Sequence, residues 1–356
     1  MIRRRRVVLF VGIVLFVSIV ASLASIALVA QKKDDRSEAQ KKEIQAVVKL
    51  ADDVVAGATA PNDLGLVWAH EDYMKAAGNK AYVPFTVTLD ASKATGQTLT
   101  LYWRVVPKAG AAGVAPAAIR KDDKNPVAKE APVKRDFPYE DVSTVTLTSK
   151  TTQRISRSFI IPAGAYDVLV VAKEPASTVK GAPAPKASVA KQTVAAPDFW
   201  NGELNTSSVI MAQRIEPLPA PLTAQQQADR PYALGQMEIT PLLDLKFSKK
   251  DEISSFLLIY NPKPAPDNKP DVTVEYNFYA KSGGTEKFFN KTPTLSLNGQ
   301  TLDAKFDLML DHQLQAGQAV QLTTFPEGDY RLEIKVTDRI AKKSVTQNVL
   351  FSVGAS

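Results

Sequence analysis

The side chains that most often carry out catalysis or bind metals are few in this chain and far apart. There are two histidines, His70 and His312, and there is no cysteine. Protein zinc sites are usually built from several histidines or thiolates held close together, and thiol nucleophiles require cysteine. The sequence therefore excludes thiol chemistry and gives no support to a histidine metal cluster.

Hydroxyl and carboxylate chemistry also lacks a recognisable pattern. The Gly-x-Ser-x-Gly sequence that places a serine nucleophile on a sharp turn does not occur. Acidic residues are numerous, and the most clustered are Asp122 with Asp123 and Asp267 with Asp271, all among Lys, Asn and Pro. We interpret both pairs as solvated turns, although a glycosidase-like carboxylate pair is formally open. We predict no catalytic residue, no metal ligand and no cofactor, and we expect a protein that is not an enzyme.

Aromatic side chains are the remaining candidates for ligand contact, because exposed rings provide large, rigid contact surfaces. Trp103, Tyr276 and Phe278 share strand faces with apolar neighbours, so we assign them to hydrophobic cores. Four other rings are candidates for exposure, without an assigned ligand: Trp68, Tyr102, Trp200 and Tyr279.

The N-terminal segment predicts where the chain works. Residues 7–30 carry no charge and directly follow four arginines, at positions 3–6. As a helix this run would extend ~36 Å, enough to cross a hydrocarbon layer of ~30 Å. Arginines on the N-terminal side favour a cytoplasmic N terminus. We expect the rest of the chain to be extracytoplasmic, in the periplasm, on the cell surface or secreted.

The sequence leaves open whether this segment is cleaved. Its first half is bulky and apolar, while residues 18–30 are rich in Ala and Ser, with small residues spaced as at signal-peptide cleavage sites. A cleaved signal peptide and a retained inner-membrane anchor are both compatible with this pattern. A lipid anchor on cysteine is excluded, and a buried helix of a cytosolic protein is the remaining alternative.

The overall composition describes an exported protein that is stabilised by its cores. Four of the 44 basic side chains belong to the leader, which leaves 40 against 37 acidic ones. So small an excess gives no reason to expect nucleic acid as a partner. Export would permit disulfides, but none can form, so stability must come from hydrophobic burial. About 326 residues remain after the leader, a length typical of two domains.

A helix is predicted immediately after the leader, over residues 37–56. Ser37 and Gln40 have the spacing of a capping box, and Gly57 stands where a helix C-cap is expected. Apolar residues recur at helical spacing along one stripe: Ile44, Val47, Val48, Ala51, Val54 and Val55. The stripe could pack on the first domain or form a coiled coil with a second copy. We treat residues 31–57 as a helical stalk.

From about residue 64 the hydrophobic period changes to two, which is typical of half-buried strands. The first series of strands is predicted at residues 84–90, 98–106, 142–147, 155–161, 166–172 and 207–212. Residues 107–138 and 174–186 are low-complexity stretches that we interpret as disordered extensions between strands. A second series follows at residues 236–240, 254–260, 272–280, 286–289, 330–337 and 345–353, with Gly283 and Gly284 as a hairpin turn.

These patterns predict a mainly β protein with two tandem antiparallel β-sandwich domains of the immunoglobulin-like kind. The predicted boundaries are 1–30 for the leader, 31–57 for the helical stalk, 58–212 for the first sandwich, 213–235 for a Pro-rich linker and 236–356 for the second sandwich.

An internal repeat supports two related modules. Residues 161–170 (IPAGAYDVLV) and 325–334 (FPEGDYRLEI) share an apolar residue, Pro, Gly and Tyr in the same spacing, followed by a period-two strand. Residues 102–105 precede the first copy as residues 274–278 precede the second. The pattern resembles the tyrosine corner of immunoglobulin-like and fibronectin type III domains, in which the tyrosine hydroxyl bonds back to the backbone.

The last 290 or so residues are also similar to the β regions of uncharacterised exported bacterial proteins that carry a GWxTD motif, although that motif is absent here. This resemblance implies no chemistry.

The sequence favours a non-enzymatic envelope protein whose sandwiches bind or brace another envelope protein. Two alternatives stay open: carbohydrate-binding modules acting on cell-wall or extracellular glycan, and a hydrolase with an unrecognised carboxylate pair.

Overall fold

The protein is mainly β, as a computed structural model shows for residues 37–108, 137–177 and 179–355. Within these ranges, no helix combines the length and the apolar character needed to span a bilayer. Residues 7–30, in which the membrane segment is predicted, lie outside the described residues, as do Asp122 and Asp123. The predictions on leader and export therefore stay predictions.

The helix expected after the leader is present as α1 (Glu38–Val55). Ser37 and Gln40 form the reciprocal capping box, with each side chain accepting from the other's backbone N–H. Gly57 follows the helix with φ of +100°, a conformation that glycine adopts without strain. The capping residues predicted from the sequence are thus confirmed.

The first sandwich consists of two facing sheets. Sheet A has the strand order β5-β4-β7-β8, and sheet B has the order β1-β3-β2, with β6 on the other edge of β3. The strands are β1 (Val67–Glu71), β2 (Met74–Ala76), β3 (Lys80–Asp90), β4 (Thr98–Pro107), β5 (Tyr139–Thr146), β6 (Thr152–Pro162), β7 (Gly164–Lys173) and β8 (Ala187–Ala196). A short 3-10 helix, Ala91–Lys93, follows β3. Alternate residues of β3, β4, β6 and β7 make one buried core between the sheets.

The second sandwich also has two facing sheets. Sheet C has the order β11-β12-β10-β14-β18 with β9 beside β14, and sheet D has the order β13-β20-β19-β15-β16 with β17 beside β15. The elements are β9 (Asn205–Thr206), β10 (Ile210–Pro217), α2 (Ala224–Asp229), β11 (Ala233–Leu234), β12 (Met237–Pro241), β13 (Lys246–Ser248), β14 (Glu252–Tyr260), β15 (Val272–Ser282), β16 (Thr285–Lys291), β17 (Leu295–Leu297), the 3-10 helix Leu308–Leu310, β18 (Leu314–Gln321), β19 (Gly328–Asp338) and β20 (Lys343–Gly354). A separate buried cluster fills the space between sheets C and D.

One topology occurs twice. In the first sandwich, β3 pairs with β1 and β6 in one sheet, and β5-β4-β7-β8 form the other. In the second sandwich, β14 pairs with β10 and β18 in the same way, and β16-β15-β19-β20 follow the order of β5-β4-β7-β8. Both predicted tyrosine corners are present. Tyr166 donates its hydroxyl hydrogen to Pro162 O at 3.2 Å, and Tyr330 donates to Pro326 O at 2.7 Å. The internal repeat read from the sequence therefore reflects two copies of one sandwich.

The register of the strands extends this equivalence to the cores. Trp103 pairs with Val170, four residues after the first corner tyrosine, and Tyr276 pairs with Ile334, four residues after the second. Trp103 is 3% exposed and Tyr276 is 1% exposed. Both were predicted to be core residues, and both occupy the same position of the repeated sheet.

Helix α1 covers the outer face of sheet A. The buried residues of this contact are Val47, Ala51, Tyr102, Leu169, Val171 and Val189. The apolar stripe of α1 therefore packs on the first sandwich, the first of the two predicted possibilities, since β7 presents apolar side chains on both of its faces.

Two basic side chains of sheet A are buried beneath α1, and each binds an acid of the helix. Arg104 Nη1 lies 2.6 Å from Asp52 Oδ1, and Lys173 Nζ lies 2.8 Å from Glu43 Oε2. Arg104 is 2% exposed, and it also donates to the Tyr102 hydroxyl. Because buried charges require partners, these pairs specify how the helix lies on the sheet.

The two sandwiches meet through buried residues. Side chains of sheet C and of the segment before it belong to the same buried cluster as the first core: Ile210, Ala212, Tyr232, Ile239, Phe256, Leu258 and Tyr260. The opposite face of β14, with Ile253, Leu257 and Ile259, faces the second core. Strand β14 is consequently buried on both sides, which holds the sandwiches in direct contact.

The predicted division between the first sandwich and the linker, at residues 212 and 213, falls inside β10. This strand pairs with β12 and β14, so its hydrogen bonds are to the second group of strands. The interval 213–235, predicted as a Pro-rich linker, contains the rest of β10, helix α2 and β11. Sequence pattern locates strands but does not show their partners, and the domain boundaries stay predictions.

Candidate docking face on the second sandwich

One row of side chains crosses the outer face of sheet D. In the antiparallel register Arg331 of β19 pairs with Leu350 of β20 and with Tyr279 of β15, and Tyr279 pairs with Phe288 of β16. Directly paired residues of antiparallel strands point to the same face. The row Leu350, Arg331, Tyr279 and Phe288, here called the sheet D row, therefore spans four adjacent strands.

A tight turn places β16 in this register. Gly283 and Gly284 connect β15 to β16 with φ of +56° and +82°. Two consecutive positive φ values are typical of the type I′ hairpin turn, and its twist matches that of the flanking strands. The predicted Gly-Gly hairpin is thus confirmed, and it pairs Ser282 with Thr285 and, farther along, Tyr279 with Phe288.

Arg331 is held in place by a network of polar side chains. Its Nε donates to Glu286 Oε2 at 2.8 Å, and its Nη1 donates to Glu333 Oε2 at 2.9 Å and to Asn348 Oδ1 at 2.6 Å. Burial lowers the pKa of Arg331, but the hydrogen bonds that it donates to Glu333 and Glu286 outweigh this effect, so the pKa is raised. The guanidinium is thereby kept charged and oriented in the middle of the row.

The aromatic members of the row are already in contact with each other and with this arginine. The Arg331 guanidinium lies 4.3 Å from the centroid of the Tyr279 ring. Phe288 meets Tyr279 edge to face, with ring centroids 5.9 Å apart. Phe288 is 51% exposed and Leu350 is 56% exposed. Tyr and Arg are enriched among residues that dominate protein interfaces, so the row has the composition of a docking site.

The other candidate rings differ in exposure. Tyr102 is buried, and Trp68 is half-buried, stacked on Phe85 with centroids 4.7 Å apart. Trp200 is 42% exposed; its Nε1 donates to Ala76 O, and Lys75 Nζ lies 4.2 Å from the ring centroid. Of the four rings, Trp200 is exposed, Trp68 and Tyr279 are half-buried, and Tyr102 is buried. Phe288 and Leu350 were missed, although the position of Leu350 between the buried Val349 and Phe351 of β20 could have revealed that residue.

The two histidines lie in separate sandwiches. His70 Nε2 is 2.9 Å from Asp72 Oδ2, and the Tyr232 hydroxyl donates to the same oxygen at 2.9 Å. His312 Nδ1 accepts from the Asp307 backbone N–H. Among the described residues no group of three or more potential metal-binding side chains occurs.

The carboxylates Asp267 and Asp271 serve a loop. The Asp267 carboxylate accepts from the Lys269 backbone N–H, while Asp271 Oδ1 lies 3.6 Å from Arg339 Nη1. The Asp267 contact is that of a turn, whereas Asp271 Oδ1 is buried and accepts no hydrogen bond within the described residues.

Comparisons with known proteins provide a weak structural likeness. No protein-family model matches the chain, and no curated protein sequence is significantly similar to it. An alpha-2-macroglobulin mutant from Salmonella and the native alpha-2-macroglobulin of E. coli are each 13% identical over 83% of this chain, with TM-scores of 0.21 and 0.22. This chain spans 17% and 16% of their lengths.

A transglutaminase from red sea bream is 11% identical over 90% of this chain and 34% of its own, with a TM-score of 0.21. All three solved structures are similar to this chain in being rich in β structure. The resemblance to proteins with the GWxTD motif has no support from these comparisons.

Proposed function

We propose that the protein is a non-enzymatic, exported envelope protein that binds another envelope protein through the sheet D row. The observation that supports this proposal is the row itself: two exposed apolar side chains flank an arginine and a tyrosine that are fixed before any partner arrives. Ordering side chains on binding costs conformational entropy, so a face whose side chains are already ordered loses less entropy when a partner binds.

The same geometry favours a protein partner over a glycan at this face. A sugar ring stacks on the open face of an aromatic ring. The Arg331 guanidinium covers the Tyr279 ring, and Phe288 packs against it edge to face. The solvent-facing parts of the row are the apolar surfaces of Phe288 and Leu350 at its two ends. Protein side chains fit such surfaces better than hydroxylated sugars do.

The two sandwiches would present this face as one body. The buried cluster that joins them includes large apolar side chains from both, and the Tyr82 hydroxyl donates to Pro231 O across the junction at 2.8 Å. A bracing or spacing role, the other part of the hypothesis from sequence, is supported by this contact. A partner bound to sheet D would be held at a defined distance from α1.

The test is site-specific photocrosslinking in intact cells. A photoreactive residue replaces Leu350, and in a matched control it replaces Leu310, which is 66% exposed but lies outside sheet D. We expect a discrete protein adduct from position 350 alone, and we expect the Tyr279→Ser substitution to abolish it. Equal adducts from both positions, or no protein adduct, would overturn the proposal. Binding of the protein to peptidoglycan that disappears in the Tyr279→Ser variant would establish the glycan alternative in its place.

A further inference from the structure

Strand β16 forms the free edge of sheet D. It pairs with β15 on one side, and none of the described strands pairs with its other side. In an antiparallel ladder alternate residues direct their N–H and C=O groups away from the partner strand. An edge strand of this kind presents unpaired backbone groups to which another strand can add. All but one of the seven residues of β16 are exposed.

The exposed charge that β16 itself adds to this edge is mainly positive, while Lys281 of β15 lies between its cross-strand neighbours Asp329 and Glu286. Lys281, Lys287 and Lys291 are exposed, and within the described residues none of them has an ion-pair partner. The nearby carboxylate of Glu286 is occupied, because it accepts from Arg331. The charge that an approaching strand meets along β16 is therefore that of the lysines.

The equivalent edge of the first sandwich has the opposite character. Strand β5 carries Glu140 and Asp141 in the position that β16 occupies in sheet D. The Glu140 carboxylate accepts from the buried Tyr102 hydroxyl at 2.7 Å, so it serves the contact between sheet A and α1. In the part of the chain that the structure describes, no internal contact of this kind involves the lysines of β16. Their charge is available to a partner.

Lysines on an edge strand oppose pairing with a second copy of the same edge, because like charges would be brought together. The same lysines attract a strand with acidic side chains. Phe288 lies between Lys287 and Lys291 in the sequence and ends the sheet D row at this edge. An added strand would therefore lie next to two cations and one exposed aromatic ring.

From this arrangement we infer that β16 binds an extended acidic segment of the partner protein by β-strand addition. The inference rests on the proposed docking role of sheet D and names the chemistry of what docks there. An antiparallel segment would place acidic residues beside Lys287 and Lys291 and an apolar residue beside Phe288. The backbone would supply the hydrogen bonds, while these side chains select the sequence.

The probe is a labelled peptide built to this pattern, acetyl-TEVTFET-amide, titrated against the full-length protein by fluorescence anisotropy. Its matched control is acetyl-TKVTFKT-amide, which has the same apolar residues and the opposite charge. We expect the acidic peptide to bind at least about tenfold more tightly than the lysine peptide at low ionic strength, with the difference shrinking as salt is added. Hydrogen exchange at residues 286–291 should slow when the acidic peptide is bound.

The decisive variant carries Lys287→Glu together with Lys291→Glu, and the control variant carries Lys335→Glu on the outer face of β19, away from the β16 edge. The double variant should reverse the preference between the two peptides, and the control should keep it. Lys287 and Lys291 are exposed and Lys335 is half-buried on the sheet surface, so we expect all three substitutions to leave the fold intact.

Equal binding of both peptides, or no binding of either, would overturn strand addition. If crosslinking from position 350 persists in the Lys287→Glu and Lys291→Glu variant, the partner lies across the sheet, and the docking role survives without the edge. Loss of crosslinking in the Tyr279→Ser variant alone would point to that outcome.

Discussion

The two sandwiches use the same sheet in opposite ways. In the first, the outer face of sheet A is covered by α1, which buries Tyr102, Leu169, Val171 and Val189. In the second, the outer face of sheet D carries the sheet D row, with Phe288 and Leu350 exposed at its ends. Since the two sheets have one strand order, the difference lies in their side chains. The repeated fold presents the outer face of the same sheet twice; the first copy is covered by α1, and the second is the one for which we propose a docking role.

The corresponding strands show how the side chains make this difference. Strand β7 continues from its corner tyrosine as DVLVVA, apolar on both faces, and its outward Leu169 and Val171 pack under α1. Strand β19 continues as RLEIKV, in which every second residue is charged and faces water. A strand whose outward residues are apolar needs a cover. A strand with charged outward residues is stable when that face is exposed to water. Such a face leaves the sheet D row accessible to a partner.

The largest effect is expected when the contact between α1 and the outer face of sheet A is disrupted. Val47 of α1 is completely buried against the sheet. Replacing it by Asp (Val47→Asp) would place an unpaired carboxylate in an apolar contact, so we expect a loss of about 3 to 5 kcal/mol of stability. Helix α1 should lose its protection against hydrogen exchange, as monitored by mass spectrometry. The matched control, Gln45→Asp on the exposed side of the same helix, should keep that protection.

If the helix stays protected in the Val47→Asp variant, sheet A does not depend on α1 for its cover. The proposed contrast, in which sheet A needs a covering helix and sheet D does not, would then be wrong. Measuring peptides from sheet D in the same experiment shows whether the effect is confined to the first sandwich, where the contact lies.

The next largest effect is expected from removing an acidic partner of Arg104 in sheet A, compared with removing one of Arg331 in sheet D. Arg104 is 2% exposed, and Asp52, its partner, is 28% exposed. Removing the acid (Asp52→Ala) leaves a buried guanidinium without its carboxylate; because water can reach the Asp52 side, we expect a loss of about 2 kcal/mol rather than the full value for a buried pair. Arg331 keeps Glu333 and Asn348 when Glu286 is changed, so Glu286→Gln should cost no more than about 0.5 kcal/mol.

Urea unfolding of both variants measures this contrast directly. Equal losses in the Asp52→Ala and Glu286→Gln variants would mean that the covered and the open sheet hold their arginines equally strongly. The cover provided by α1 would then contribute nothing to the Arg104 pair.

Much of the fold could be predicted from local pattern. The helix caps at Ser37 and Gly57, the Gly-Gly hairpin and both tyrosine corners depend on a few adjacent residues, and the structure has each of them. The partners of strands could not be predicted, because pairing depends on residues far apart in the chain. Strand β10 shows this: its sequence follows the first series, but its hydrogen bonds are made to β12 and β14.

The candidate site was only partly visible in the sequence. Tyr279 was identified as a possible exposed ring, and the outward direction of Arg331 follows from the alternation along β19. The row as a whole requires the registers among β20, β19, β15 and β16, since its members come from four strands. The run FLLIY in β14, apolar on both faces, was the signal for the junction between the sandwiches.

A smaller effect tests whether the two sandwiches are equivalent at their corners. Tyr166→Phe and Tyr330→Phe each remove one hydroxyl that donates to a carbonyl oxygen four residues earlier. We expect each to lower the free energy of unfolding by about 1 kcal/mol, the usual value for one net hydrogen bond. The Tyr330 bond is the shorter, at 2.7 Å against 3.2 Å, so its loss should be the larger. An effect in only one of the two variants would show that the repeat is conserved in shape but not in energetics.

The smallest effect lies at the junction, where neither sandwich can be considered alone. His70 of the first sandwich binds Asp72, and the Tyr232 hydroxyl, from the segment leading to sheet C, donates to the same carboxylate. Burial lowers the pKa of His70, but the hydrogen bond to Asp72 and the charges of Asp72 and Glu71 outweigh this effect. The pKa is therefore raised above its ordinary value of 6.5.

A raised pKa in the folded state means that folding favours the protonated imidazole. The resulting stabilisation is complete below pH 6.5 and is lost as the pH rises through the folded-state pKa, above 6.5. Urea unfolding at a series of pH values should show this decline in the wild-type protein, and the His70→Gln variant should lack it. Asp72→Asn should bring the pKa of His70, followed by NMR, below its wild-type value. If His70→Gln leaves the pH dependence unchanged, the junction does not contribute to it, and the sandwiches are coupled by their apolar contacts alone.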